Sequence, residues 1–280
     1  MRDLTPKTHR LAVQGTEFVV REYPCSASPL FFCHCTGTSG RIWEPVFRKL
    51  KLDHTFYAWD ARGHGDSEKT SDPGDYNWDR QARDLLDIFE QLGLDHLQAV
   101  GHSGGGAALA QAELLRPGTF SRLMLIDPII ASPDFFAGVK ILAELSRRRH
   151  NRFSSREVAR ERFSSKEPMS RWTAESLDCY LDHCFEAGEG EEIVLKCPGP
   201  IEALVYDMSG ETEIMSRLNG LEPPTCLVTG EDSYMLHHAE EQQRRIPGSE
   251  LVILPSTSHF IPQEKPDEVA ELINRWFGEG

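Results

Sequence analysis

The chain has 280 residues, enough to bury a large core, and its 39 % hydrophobic and 26 % charged residues describe an ordinary globular protein. A formal net charge of −14 argues against nucleic acid as a partner, because phosphate would be repelled. Seven scattered cysteines, an odd number, suit a reducing compartment. The stretch Met1–Lys7 has no apolar signal-like run and no segment is long enough to span a bilayer, so a cytoplasmic chain with no membrane span is expected.

In chain order, residues 8–15 and 16–24 read as two strands paired about Gly15-Thr16. Leu30–Cys35 is a continuous run fit for a strand buried on both faces. Within it, Cys33-His34-Cys35 offers no shared metal site, since on a strand His34 points opposite the two sulfurs. The small-residue loop Thr36–Gly40 follows, then a helix from about Trp43 to Leu50. Thr55–Trp59 is the next strand, and a helix from about Trp78 to Leu92 carries Leu85, Leu86, Ile88, Phe89 and Leu92 as an apolar stripe.

Leu97–Val100 then reads as a buried strand and Ala107–Leu115 as a strong helix. Between them lies Gly101-x-Ser103-x-Gly105, the pattern of a nucleophile elbow. Such a turn strains the serine backbone and needs small neighbours on both sides. It lifts the Ser103 hydroxyl above the sheet edge, at the positive end of the helix. Arg122–Asp127 is a further buried strand, and the alternation implies a mostly parallel sheet covered on both faces.

After Pro128 the rhythm breaks. Residues 131–220 show helical periodicity with no run of strands, the helices being Ala137–Arg148, Arg156–Phe163 and Thr173–Phe185. The alternation resumes with strand Thr225–Thr229, helix Ala239–Arg245, strand Glu250–Leu254 and helix Pro266–Phe277. The division expected is therefore a core of residues 1–130 and 221–280 with 131–220 inserted as a helical cap (lid) over the sheet's carboxyl edge, where ligands bind in open parallel sheets.

These landmarks resemble the α/β-hydrolase fold over nearly the whole chain. His34 opens the loop after the third strand and Trp43 follows at a family-like interval. Asp60-x-Arg62-Gly63-x-Gly65-x-Ser67, the elbow, and Ser258-His259-Phe260-Ile261-Pro262 complete the likeness. The resemblance implies Ser103 as nucleophile and His259 as general base. It also implies an oxyanion hole from the N–H groups of Gly104 and Thr36. Cys35 stands where glycine is common, which leaves Thr36 and Gly37 both open as the donor. Counting three residues past Gly230 reaches Ser233, which cannot carry the acid's charge. Asp127, 24 residues after Ser103 and placed as in haloalkane dehalogenases, is taken as the acid, with Asp232 as the alternative. His34, His102, Phe135 and Phe260 are expected to border the substrate, His34 shaping its loop rather than carrying protons.

A serine at the elbow argues against dehalogenase or epoxide hydrolase chemistry, which in this fold resembles attack by an aspartate. Cleavage of a carboxylic ester or thioester through an acyl-enzyme is the natural reading. Lactone opening, carbon–carbon hydrolysis and acyl transfer use the same constellation. A non-catalytic small-molecule receptor is the reading from outside enzymology. No cofactor is implied, and metal dependence finds no histidine–carboxylate cluster of ligand spacing. The partner expected is a small-molecule ester, on a monomer or homodimer. Nine cations lie between Arg147 and Arg171. They read as a solvated face paired with Glu157, Glu161 and Glu167, or as an attraction for an anionic acyl substrate. Phe136, Phe153, Phe163, Met169 and Trp172 would join Phe135 in a pocket or in the cap's own core.

Overall fold

The first strands of the main sheet are β1 (Lys7–Val13), β2 (Thr16–Tyr23), β3 (Ala27–Cys33), β4 (His54–Asp60), β5 (Leu97–His102) and β6 (Phe120–Ile126). A long segment carrying β7 (Arg152–Phe153), β8 (Phe185–Ala187) and β9 (Ile193–Leu195) intervenes before β10 (Thr225–Gly230) and β11 (Glu250–Leu254). The computed structural model describes residues 4–278; residues 1–3, the start of the N-terminal stretch read above, and 279–280 lie outside the described residues.

The main sheet runs β1–β2–β4–β3–β5–β6–β10–β11. β2 is antiparallel to both β1 and β4, and every other neighbouring pair is parallel. Its interior strands bury both faces because successive side chains alternate. Phe31, Ala99, Leu125 and Leu227 enter one apolar cluster, while Leu30, Phe32, Val100, Met124 and Val228 enter a second. Parallel strands end together, so the loops after β3, β5, β6 and β10 share one sheet edge.

The helices are α1 (Glu44–Phe47), α2 (Trp78–Leu92), α3 (Gly104–Leu115), α4 (Pro133–Arg147), α5 (Arg156–Ser164), α6 (Ala174–His183), α7 (Gly199–Met208), α8 (Leu236–Arg245), α9 (Ile261–Glu264) and α10 (Pro266–Gly278). Local chemistry sets their ends. Asn77 caps α2 by accepting from the Arg80 N–H, and Gly93 closes it in the left-handed conformation at φ 65°. Ser155 and Thr173 cap α5 and α6 in the same manner as Asn77. Among the described residues no helix is long and apolar enough to cross a membrane.

Several expectations change. The helix from Trp43 is a 3₁₀ turn, Gly40–Trp43, followed by the single turn α1. Helix α4 starts at Pro133 rather than Ala137, because proline suits a first helical turn. Between residues 131 and 220 an unassigned helix, α7, occurs, and the short strands pair antiparallel as β7–β9–β8. Strands of two or three residues are too brief to show a period of two. The apolar residues Phe153, Trp172, Tyr180 and Phe185 of this segment join the cluster that holds Phe32 and Phe56.

Candidate active site

Ser103 sits between β5 and α3 with φ 57° and ψ −120°, a conformation few non-glycine residues adopt. Its N–H donates to the Ile126 carbonyl at 2.9 Å, which ties the turn to the neighbouring strand. Two glycines make the turn possible. A Cβ on Gly105 would lie 2.7 Å from the Cys33 backbone, and one on Gly101 2.7 Å from the Gly106 Cα. The turn closes only because both side chains are missing.

Beside it, Ser103 Oγ lies 2.9 Å from His259 Nε2, and His259 Nδ1 lies 2.6 Å from Asp127 Oδ2. The carboxylate can only accept, so Nδ1–H donates to it and Nε2 faces the serine as acceptor. Asp127 is fully buried, with φ 45° just past the end of β6, and its N–H donates to the Val228 carbonyl at 2.7 Å. Its carboxylate also accepts from the hydroxyls of Thr229, at 2.5 Å, and Ser233. The position counted from Gly230 thus carries a hydroxyl that bonds the acid on the adjacent strand. Asp232 faces elsewhere: its carboxylate pairs with Arg171 at 2.8 Å. Ser103, His259 and Asp127 are brought together, and Asp232 is not.

The two histidines expected beside the substrate stand behind the site, outside the cavity lining. His102 Nε2–H donates to the His259 carbonyl at 2.9 Å, and burial pulls its pKa well down, so it is neutral. His34 Nε2 accepts the Ala61 N–H at 3.0 Å while Nδ1–H donates to the Cys35 carbonyl at 2.8 Å. Burial, aided by the neighbouring His64, brings its pKa down to about 4. His34 uses both ring nitrogens, and His102 its Nε2, to fix backbone, which corrects their assignment as substrate contacts.

The turn after β4 braces the same loop. Asp60 accepts from the N–H groups of Gly40 and Asp66, at 2.7 and 2.8 Å, and from Arg21 at 2.7 Å. Ser67 Oγ donates to the Asp60 carbonyl at 2.6 Å. Among the described residues, neither the Thr36 nor the Gly104 N–H donates to a protein acceptor. Their segments adjoin, since a Cβ on Gly104 would stand 3.1 Å from Thr36 Oγ1. Two free N–H donors next to a hydroxyl–imidazole–carboxylate chain can receive charge that develops on a carbonyl oxygen.

A cavity of about 610 Å³ opens over Ser103 and His259. Phe135 and Phe260 line it, together with Trp78, Phe163, Met169 and Trp172. Tyr234, whose ring centroid is 4.8 Å from that of His259, had no sequence signal. The cationic run divides between surface and cavity. Its partners are Glu144, Asp178, Asp182, Glu192, Glu202, Asp207, Asp232 and Glu264 rather than the expected Glu157, Glu161 and Glu167. Arg149 and Glu202 form their pair in the cavity wall. Away from the site, Glu44, Cys179 and His183 bring three potential metal ligands within 4.8 Å of one another. Glu44 is already engaged by Tyr23 Oη at 2.9 Å and Arg41 at 2.6 Å, and burial keeps the Cys179 thiol protonated, so the group suits a hydrogen-bond network better than a cation.

The sequence profile of the Alpha/beta hydrolase family matches residues 30–272. An abhydrolase domain-containing protein of Alternaria alternata, ACTT2-1, is 24 % identical over 217 residues, covering 63 % of this chain and 81 % of its own. The sn-1-specific diacylglycerol lipase ABHD11 of Mus musculus is 26 % identical, covering 76 % and 68 %. Among solved structures, E-2-(acetamidomethylene)succinate hydrolase superposes with a TM-score of 0.83 at 19 % identity, covering 98 % of this chain and 99 % of that one. At that identity the likeness speaks for the fold.

Proposed function

The chain belongs to the alpha/beta hydrolase family, and from that premise we propose that it is a serine hydrolase cleaving a carboxylic ester, thioester or lactone through an acyl-enzyme. The observation that carries the reading is the unbroken chain from Ser103 Oγ through His259 to Asp127, with separations of 2.9 and 2.6 Å. In this mechanism His259 Nε2 takes the Ser103 proton as the oxygen attacks the carbonyl carbon. Buried Asp127 holds the ring in the required tautomer and stabilises the imidazolium. The Thr36 and Gly104 N–H groups receive the oxyanion. His259 then protonates the departing alcohol or thiol. Water, deprotonated by the same nitrogen, releases the acid and restores Ser103.

Residues 131–220 act in this proposal as a cap whose inner surface shapes the cavity and sets substrate size. The apolar lining favours an acyl chain of moderate length. The mammalian relative that bears the name of a lipase fits hydrolysis of a lipophilic ester. The test is hydrolysis of a p-nitrophenyl ester series by wild type and Ser103→Ala, with a fluorophosphonate probe and peptide mapping to find the labelled residue. Serine-dependent turnover with label on Ser103 is expected. Turnover that survives in Ser103→Ala, or a wild type that neither turns over an ester nor takes the label, would overturn the proposal.

A further inference from the structure

We propose that Arg149 and Glu202 form a polar subsite of the cavity, one that selects substrates with a neutral hydroxyl or amide N–H close to the scissile carbonyl. The inference rests on the hydrolase reading above and names the substrate class its cavity takes. Arg149 follows the carboxyl end of α4, and Glu202 lies in the first turn of α7. Each charge therefore meets the helix-end partial charge that suits it. Glu202 is only 6 % exposed, and its carboxylate accepts from the Arg149 guanidinium and, at 3.4 Å, from the Tyr206 hydroxyl. The other arm of Arg149 donates to Tyr180 Oη at 3.2 Å. All four residues line the cavity.

Their location ties them to the chemistry. A Cβ built on Gly37 would stand 2.7 Å from Glu202 Oε1, so the carboxylate rests against the loop that presents Thr36. A group reaching Glu202 is then one residue along that loop from the proposed oxyanion donor. Burying an ion pair in an apolar wall is costly, and apolar side chains of like volume would pack there at least as well. The pair also has unused bonding capacity. Glu202 Oε1 has only the long contact to Tyr206, and two of the five guanidinium N–H groups are taken up by Glu202 and Tyr180.

Charge decides which group fits. Arg149 is already balanced by Glu202, so a carboxylate seated at this pair would set a second anion against Glu202 for the sake of one guanidinium. An alkyl group would cover polar atoms without pairing them. A hydroxyl or amide donates to Glu202 and accepts from Arg149, and adds no charge.

The experiment compares the p-nitrophenyl esters of butyrate, 3-hydroxybutyrate and hemisuccinate, with wild type, Glu202→Gln and Tyr206→Phe. For wild type, kcat/KM on the hydroxy ester should exceed that on the butyrate at least tenfold, with the hemisuccinate poorest. Glu202→Gln keeps the volume and an acceptor but leaves Arg149 unbalanced. It should cut the hydroxy preference several-fold and raise the hemisuccinate relative to the butyrate at least tenfold. Tyr206→Phe, which deletes a single hydroxyl, should lower the hydroxy preference two- to fivefold and carries the test should Glu202→Gln fail to fold. A ranking unchanged between wild type and variants, or a uniform fall on all three esters, overturns the subsite. Calorimetric binding of the same esters to Ser103→Ala separates the two proposals. No wild-type turnover on any ester counts against the hydrolase, whereas equal affinities for the three esters count against the subsite.

Discussion

Beneath the cavity, the buried carboxylates Asp127 and Asp60 are each bound by several fixed partners; above it, most charges pair side chain to side chain and much of the surface is open. Asp127 accepts from a histidine and two hydroxyls, and Asp60 from two backbone N–H groups and an arginine. In residues 131–220, Arg156 pairs with Asp178 and Asp182 while itself more than a third exposed. Ile141 and Leu145 on α4 are 66 % and 60 % exposed. The lower region is preorganised in the sense that proton transfer and charge stabilisation require. The upper one has room to vary without disturbing that arrangement.

The sharpest way to break this comparison is to remove one acid buried beneath the cavity and one that pairs with the upper region through Arg171. Asp127→Asn should lower kcat on the order of 10⁴-fold, about 5 kcal/mol of barrier, because the amide favours the wrong histidine tautomer. Asp232→Asn should change kcat by less than about threefold, since it loses only a partly exposed pair with Arg171. Steady-state kinetics on one activated ester decides it, and equal losses in the two variants would refute the assignment.

How much of this was legible in the sequence follows the same division. The elbow, the Asp60–Ser67 turn and the His259 loop were readable because each is a short run whose glycines and polar residues serve one local turn. Helix α2 was placed to the residue, its cap and its closing glycine both being local. The link from Asp127 to Ser233 joins residues 106 apart in sequence, and counting from Gly230 reached Ser233 without showing what its hydroxyl bonds. His34 and His102 were misread as substrate contacts for a related reason. Proximity in sequence to the loop and the nucleophile says nothing of which side of the backbone a ring occupies. The pairing of Arg149 with Glu202 depends on how α4 meets α7, and a count of nearby glutamates pointed to the wrong partners.

The next largest effect is steric. Gly105→Ala should destabilise the fold on the order of 3–4 kcal/mol, since its methyl would meet the Cys33 backbone, which cannot swing aside. Urea unfolding with an unchanged m-value would show it, and a midpoint equal to wild type would count against close packing at the elbow.

Acid should strike the lower region first. The native pKa of His34 is held at about 4, against 6.5 for a free imidazole, so the unfolded chain binds its proton first as pH falls. Stability from this group is complete above pH 6.5 and is lost between 6.5 and about 4, by about 3 kcal/mol. His102 acts in the same direction. Glu44 is separable. Burial pushes its carboxyl up, but bonds from His183 and Arg41 outweigh that and hold it at about 2, so its contribution is lost only below its ordinary value of 4.5. Denaturant midpoints measured from pH 7 to 4 should fall steadily in wild type and less steeply in His34→Gln, whereas a flat wild-type profile would contradict a neutral buried His34.

The smallest effect has the opposite sign, and it belongs to the upper region. Gly138 lies inside α4, is exposed, and a Cβ there would meet no atom within 4 Å. Glycine in a helix interior costs up to about 1 kcal/mol relative to alanine, because the unfolded chain has more backbone freedom to lose. Gly138→Ala should therefore raise stability by about 0.5–1 kcal/mol, while the same one-methyl change at Gly105 lowers it several times more. If α4 opens independently of the sheet, the gain appears as slower amide exchange confined to α4, with the global unfolding midpoint unmoved. If α4 unfolds with the sheet, the midpoint itself rises. Exchange and denaturation on this one variant thus measure whether the upper region is a separate cooperative unit or an extension of the core.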